Sequence, residues 1–200
     1  SAAAQYMANN IGLVELLEIS RDINVPERIK ESFSEKFGDK HANKLFTVVG
    51  ESVCNVEDHS QTIVPGFAGL QCYGRAPKNS IMVVISDSGA GICKTLRPGL
   101  EEYFPEIAKK FEPSVHAADP KLILYAMVNG GLSRLGNDRG AGLYATHGTA
   151  EKLDAIISIR QENFSVRLVY KAGALEETSW KLDLPRLKGT QIVFEFKLDN

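Results

Sequence analysis

Ile81-Met-Val-Val-Ile85-Ser-Asp87-Ser-Gly89-Ala-Gly91-Ile92 carries the most information in this chain. Five apolar, β-prone residues end in an acid, two glycines follow at alternate positions, and Ile92 resumes the apolar pattern. The run from Ile81 to Ile85 predicts a buried strand. Asp87 then sits at its end, where an unpaired carboxylate would be costly. The amino group of an adenine base can donate to such a carboxylate, and Gly89 and Gly91 remove side chains so that a flat ring can approach the backbone. A second reading makes Asp87 the acceptor of a local turn, with the glycines present for positive φ. A calcium loop fits poorly, because the further acids of such a loop are missing.

Upstream, Phe67 to Tyr73 is also short and β-prone, and Ala76-Pro77-Lys78-Asn79 separates it from Ile81, which predicts a hairpin. The first sixty residues carry helical signals. Ile11, Leu13, Val14, Leu16 and Leu17 cluster before Pro26, which can open a helix, and Ile29, Phe33 and Phe37 recur at fourfold spacing until Gly38-Asp39 breaks the pattern. Residues 1–40 are therefore expected to be an N-terminal helical segment, with the main domain over 41–200. A longer helix is expected from Lys40 to about Ser60. Its apolar stripe is Leu45, Phe46, Val48, Val49, Val53 and Val56, while Glu51, Asn55 and His59 recur every four residues beside it.

Downstream, Pro98, Pro105, Pro113 and Pro120 are expected to chop residues 92–136 into short helices, one of them over Lys121 to Val128. Asn129-Gly-Gly131 and Gly136-Asn137-Asp138 bracket a polar stretch that reads as a candidate lid. A helix is expected from Ala141 to about Leu153, followed by strands at 155–160, 165–170 and 191–196. Without a repeated βαβ pattern, the expected architecture is an α+β two-layer sandwich with a mixed sheet.

Hydrophobic residues make up 44% of the 200 and charged residues 24%, the balance of a globular protein with one substantial core. A formal charge of −2 gives no support for a general electrostatic grip on nucleic acid. Cys54, Cys72 and Cys93 are an odd number at no metal-like spacing, and are read as reduced thiols with packing roles. No run approaches the roughly 18 apolar residues of a membrane helix, and Ser1-Ala-Ala-Ala lacks the features of a secretory signal. The expectation is a cytoplasmic protein with no membrane partner.

The helix strip offers its own chemistry. The amide oxygen of Asn55 is a hard neutral ligand suited to magnesium, and the carboxylate of Glu51, one turn earlier, could take a proton from an attacking water or hydroxyl. The same pair also suits the solvated side of an amphipathic helix. Glu57 and Asp58 lie off the strip and are expected to be exposed. In Arg139-Gly140-Ala-Gly142-Leu143 the glycines directly precede a helix, whose free amides and positive dipole end can receive phosphates. Arg139 could reach a phosphate as well. No strand leads into these glycines, which disfavours a dinucleotide fold, and a Walker loop is excluded by the missing Gly-Lys-Ser/Thr ending.

In this order the motifs resemble the Bergerat-fold ATPases, the superfamily of DNA gyrase, the ninety-kilodalton heat-shock chaperone, histidine kinases and MutL. The helix motif is Glu51 to Asn55, the Asp-x-Gly-x-Gly box is Asp87 to Gly91, the second glycine box is Gly140-Ala-Gly142-Leu143, and the late Gly-Thr is Gly189-Thr190. The resemblance implies ATP and magnesium as cofactors. Asn55 would bind the metal, Asp87 the adenine amino group, and Gly140 and Gly142 the phosphates; Gly89, Gly91, Ile92, Arg139 and Leu143 would also contribute to the nucleotide site, Thr190 would close the base pocket and residues 93–139 would form the lid. Glu51-x-x-x-Asn55-x-x-x-His59 is similar to the helix of bacterial anti-sigma-factor serine kinases and of standalone ATP-binding proteins encoded beside STAS-type partners. A regulatory protein partner of that kind, and a homodimer, are arrangements the resemblance allows. Three function classes follow: an ATPase that uses nucleotide state to move a lid or partner, a serine/threonine kinase, and a non-hydrolysing ATP-gated interaction module. The last does not require Glu51.

Overall fold

The computed structural model describes residues 13–20, 22–59, 62–75, 78–130 and 141–197. Seven strands form one open sheet: β1 (Leu13–Ile19), β2 (Gly66–Arg75), β3 (Lys78–Asp87), β4 (Ala155–Glu162), β5 (Phe164–Lys171), β6 (Ala174–Lys181) and β7 (Leu187–Lys197). Their spatial order is β1-β2-β3-β7-β4-β5-β6. The chain is thus α+β, and β2 and β3 form the expected hairpin.

The sheet is antiparallel throughout, not mixed. The reason is the placement of β7. It lies between β3 and β4 and runs against both, so these two co-directed strands never touch and no parallel pair arises.

Leu13–Ile19 is a strand rather than part of a helix. Its apolar residues come in adjacent pairs that imitate helical spacing, but a register shift between Val14 and Leu17 absorbs the mismatch. Beyond it the alternation is regular: Leu17 packs against the core and Ile19 is buried, while Leu16 and Glu18 are exposed. The strand β6 escaped the sequence reading. Ala174–Lys181 has no apolar alternation because it is an edge strand with mostly exposed side chains.

Six helices complete the described fold: α1 (Val25–Phe37), α2 (Asp39–His59), α3 (Ile92–Tyr103), α4 (Pro105–Lys110), α5 (Ala118–Asn129) and α6 (Ala141–Lys152). Asn24 caps α1 by accepting from the Glu27 amide, and Pro26 stands in the first turn. Gly38 ends that helix at a φ of +80°, a conformation that glycine adopts freely. Pro98 does not break α3, contrary to expectation. The bond it forgoes, to the Lys94 carbonyl, joins two exposed residues, while Cys93, Leu96 and Leu100 hold the inner side in the core.

One phase of the sheet is buried against the helices. Ile81, Val83 and Ile85 of β3 share it with Phe194 and Phe196 of β7, Ile157 and Ile159 of β4, and Val166, Leu168 and Tyr170 of β5. Against it pack Ile29 and Phe33 of α1, Leu45, Val49 and Val53 of α2, and Leu122, Ile123 and Met127 of α5. Helix α2 touches β1, β2, β3 and also α6, and α6 in turn rests on β4 and β5. Buried His147 of α6 meets the Tyr170 hydroxyl of β5 at 2.8 Å. Burial, with the nearby Glu151 charge, raises the Tyr170 pKa, so the phenol keeps its proton in this hydrogen bond with Nδ1 of His147. Arg97 of α3 donates to the Phe111 carbonyl at 2.7 Å and pairs with Asp119, tying α3 to α5. No helix among the described residues is long and apolar enough to cross a membrane.

Candidate functional site

Along the buried phase, the inner side of the sheet changes from apolar to polar in one step. Ile85, Ile192 and Ile159 face one another across β3, β7 and β4; the next row is Asp87, Thr190 and Gln161. Thr190 and Gln161 are buried, and Asp87 is half-buried. Desolvation raises the Asp87 pKa above the ordinary carboxylate range, although the Gly89 amide and the amide and hydroxyl of Thr190 each favour its ionised form. The Gly89 amide donates to Asp87 Oδ1 at 2.6 Å. The local turn weighed as a second reading therefore exists, and the carboxylate still bears a desolvation cost that these partners do not remove.

Gly189 explains how β7 reaches Asp87. Its φ is +82°, and a Cβ there would lie 2.0 Å from the Asp87 carbonyl oxygen and 2.6 Å from Ser88 Cα. Only glycine admits that approach of two backbones. Next to it, Gln191 Nε2 donates to the Asp87 carbonyl at 3.4 Å and to the Lys188 carbonyl at 3.3 Å. Ser88 Oγ and Gln191 Oε1 are buried with no hydrogen-bond partner among the described residues. Gln191 pairs in register with Ser86 and Arg160, so its side chain stands on the sheet face opposite to the Asp87 carboxylate; Ser88 Oγ is the orphan atom on the residue next to Asp87.

The first and second motifs meet through Gly66. A Cβ at that position would be 2.5 Å from Val56 Cγ1 and 2.9 Å from the Ser86 carbonyl oxygen. Val56 directly follows Asn55, and Ser86 directly precedes Asp87, so α2 passes over the Asp87 end of β3. On α2, Leu45, Val48, Val49, Ser52, Val53 and Val56 are buried, Glu51 and Asn55 are half-buried at the flank, and Cys54, Glu57 and Asp58 are exposed. The side chain of His59 lies outside the described residues. Glu51 and Asn55, one turn apart, could supply a carboxylate and an amide oxygen to a hard cation. Among the described residues no three His, Cys, Asp or Glu side chains gather to hold a metal. A metal at Asn55 would therefore take most of its shell from water and from its ligand's own oxygens.

Helix α6, which carries Gly142 and Leu143, packs on α2, which carries Glu51 and Asn55. Gly142 stands in the first turn of α6, and half-buried Leu143 packs against the core. Arg139 and Gly140 lie outside the described residues, as do 131–138 of the expected lid. Residues 93–130 of that segment include α3, α4 and α5, whose inner side chains Leu96, Leu100, Leu122, Ile123 and Met127 belong to the core. Ile92 also packs there.

Sequence reading missed Gln161, Gln191 and Ser88. A signal for Gln161 was present: in Ala155-Ile-Ile157-Ser-Ile159-Arg-Gln161 it is the one polar residue in an inward-facing apolar phase. Its side chain fills the space in front of Gly91 that was assigned to a base, since a Cβ on Gly91 would stand 2.1 Å from Gln161 Nε2. The thiols of Cys54 and Cys93 are held in their protonated form. Burial and the Glu57, Glu51 and Asp58 charges raise the Cys54 pKa, and burial with Asp119 raises that of Cys93 further. The chain matches no family model, and no match was found among curated proteins.

Proposed function

We propose that this chain is a Bergerat-type, two-layer ATP-binding domain that holds Mg-ATP and hydrolyses it slowly to switch a lid or partner. The observation that carries this reading is Asp87: a desolvated carboxylate in one row with Thr190, followed in sequence by Ser88 with its orphan hydroxyl, at the sheet end over which α2 passes. The Ser88 hydroxyl, without a partner among the described residues, and the desolvated Asp87 carboxylate are the fit test for a base, because a purine edge offers both donors and acceptors. Asp87 accepts from the adenine amino group and Thr190 bounds the pocket. Asn55 offers its amide oxygen to magnesium, whose charge would neutralise the phosphates, and the first-turn amides of α6 near Gly142 face the phosphate chain. Glu51 orients and deprotonates the attacking water. Leu143 and Ile92 act through packing that fixes α6 and α3.

Calorimetric titration with ATP and ADP, with and without magnesium, tests the proposal, with phosphate release measured on the same samples. Saturable, magnesium-dependent ATP binding is expected. Glu51→Ala should retain binding and lose release by on the order of a hundredfold or more. Absence of binding by either nucleotide refutes the assignment. Binding without release in the wild type refutes the hydrolytic step and favours a kinase or an ATP-gated module.

A further inference from the structure

Resting on the nucleotide-site reading, we infer that Gln161 is a positioning residue that fixes the loop from Ser88 to Gly91 for the adenine base. A buried amide is unfavourable unless hydrogen-bonded, and Gln161 is only 2% exposed in a phase otherwise made of Ala155, Ile157 and Ile159. Its Oε1 accepts from the Ile92 amide at 3.2 Å. That amide is the first of α3 and has no acceptor within the helix, and Gly91 at the capping position brings no side chain to the neighbouring first-turn amides. Gln161 therefore caps α3 from a strand sixty-nine residues further along the chain.

Gly91 and Gln161 are complementary. Gly91 has a φ of +85°, and the Cβ it lacks would collide with the glutamine amide. The loop is consequently held at both ends, by Gly89 on Asp87 Oδ1 and by Ile92 on Gln161 Oε1. Gln161 also pairs in register with Thr190, which pairs with Asp87, so both anchors stand in the same row of the sheet. Its own backbone is fixed by Arg160, whose Nη1 donates to the carbonyls of Gln161, Glu162 and Phe164 at 3.0, 2.7 and 2.9 Å. The same guanidinium reaches the Pro185 carbonyl. A side chain supported in this way can impose sub-ångström precision on the loop it holds.

The test compares Gln161→Leu with the wild type in two measurements. Amide hydrogen exchange at Ile92 in the free protein should accelerate by roughly tenfold or more when its acceptor is removed. Adenosine affinity should fall by on the order of tenfold, while affinity for inorganic tripolyphosphate stays unchanged, because the loop meets the base and not the phosphates. Gln161→Glu keeps an acceptor at the helix start and should restore both. If Gln161→Leu does not fold, Gln161→Asn withdraws the carbonyl by one methylene and should show the same losses. Wild-type ATP binding with adenosine affinity unchanged in the variants overturns this inference alone, as does an equal loss of adenosine and tripolyphosphate affinity. Failure of the wild type to bind ATP overturns the nucleotide-site reading and this inference with it.

Discussion

Replacing Gly189 with alanine should be far more damaging than the same change at Gly173, although the two glycines share a left-handed backbone. Gly173 has a φ of +75° with nothing within 4 Å of a new Cβ. Its variant faces only the conformational cost of alanine there, about 1–2 kcal/mol, partly offset by about 0.4–1 kcal/mol from a less flexible unfolded chain. A net loss of about 1 kcal/mol or less is expected. At Gly189 the φ is +82°, but the new Cβ would stand 2.0 Å from the Asp87 carbonyl oxygen and 2.6 Å from both Asp87 C and Ser88 Cα. All three are backbone atoms, so no side chain can swing aside. The chain must carry the overlap, at about 1–3 kcal/mol, or part β7 from β3 and give up ladder bonds at about 0.5–1.5 kcal/mol each. With the conformational term, Gly189→Ala should cost about 2–5 kcal/mol, a large share of a typical stability of about 5–15 kcal/mol. Urea unfolding of both variants gives the comparison, read from the midpoint with the slope held common. Equal losses within about 0.5 kcal/mol would refute the backbone collision. Displacement of Asp87 should also remove nucleotide binding in whatever Gly189→Ala protein remains folded.

Asp87→Asn should abolish ATP binding while making the folded chain more stable at neutral pH. Because burial raises the folded-state pKa of Asp87, the folded chain holds a proton that the unfolded chain has released, and wild-type stability falls as pH rises through that window. Asparagine does not titrate, so the advantage of the variant should grow from acid to neutral pH in thermal melts; a pH-independent difference would contradict the desolvation. Tyr170→Phe should leave His147 Nδ1 buried without its partner and destabilise the domain by about 1–3 kcal/mol, measurable by denaturant titration. No loss would mean that the pair does not hold α6 to β5.

Helices α1 and α2 and the β2–β3 hairpin were legible because each has a clean apolar pattern and an explicit stop, such as Gly38 or the Pro65-Gly66 pair, while α6 was legible from the glycine box that precedes it. The strand β1 was not, because Leu13-Val14 and Leu16-Leu17 are out of phase with a flat strand and become compatible only through an irregularity that pairing with β2 creates. The edge position of β6 removes the burial that would have written a pattern into it. Similarly, Asp87, Gly89, Gly91 and Thr190 stood out as short-range motifs, whereas Gln161 reaches Ile92 across sixty-nine residues. A lone glutamine acquires meaning only when register places it beside a helix start.

The central position of β7 also governs when the domain can become whole during synthesis. β1, β2 and β3 can pair as soon as they emerge from the ribosome, and β4, β5 and β6 can do so later, but each set ends in an open edge until residues 187–197 arrive. Leu187–Lys197 is the keystone that joins the two halves. It also carries Thr190 between Asp87 and Gln161, so the polar row is completed in the same event that seals the sheet. A nascent chain halted before Leu187 would leave β3 and β4 as unpaired strand edges and the polar row without its middle member, so completion of that row reports on completed translation as well as on folding.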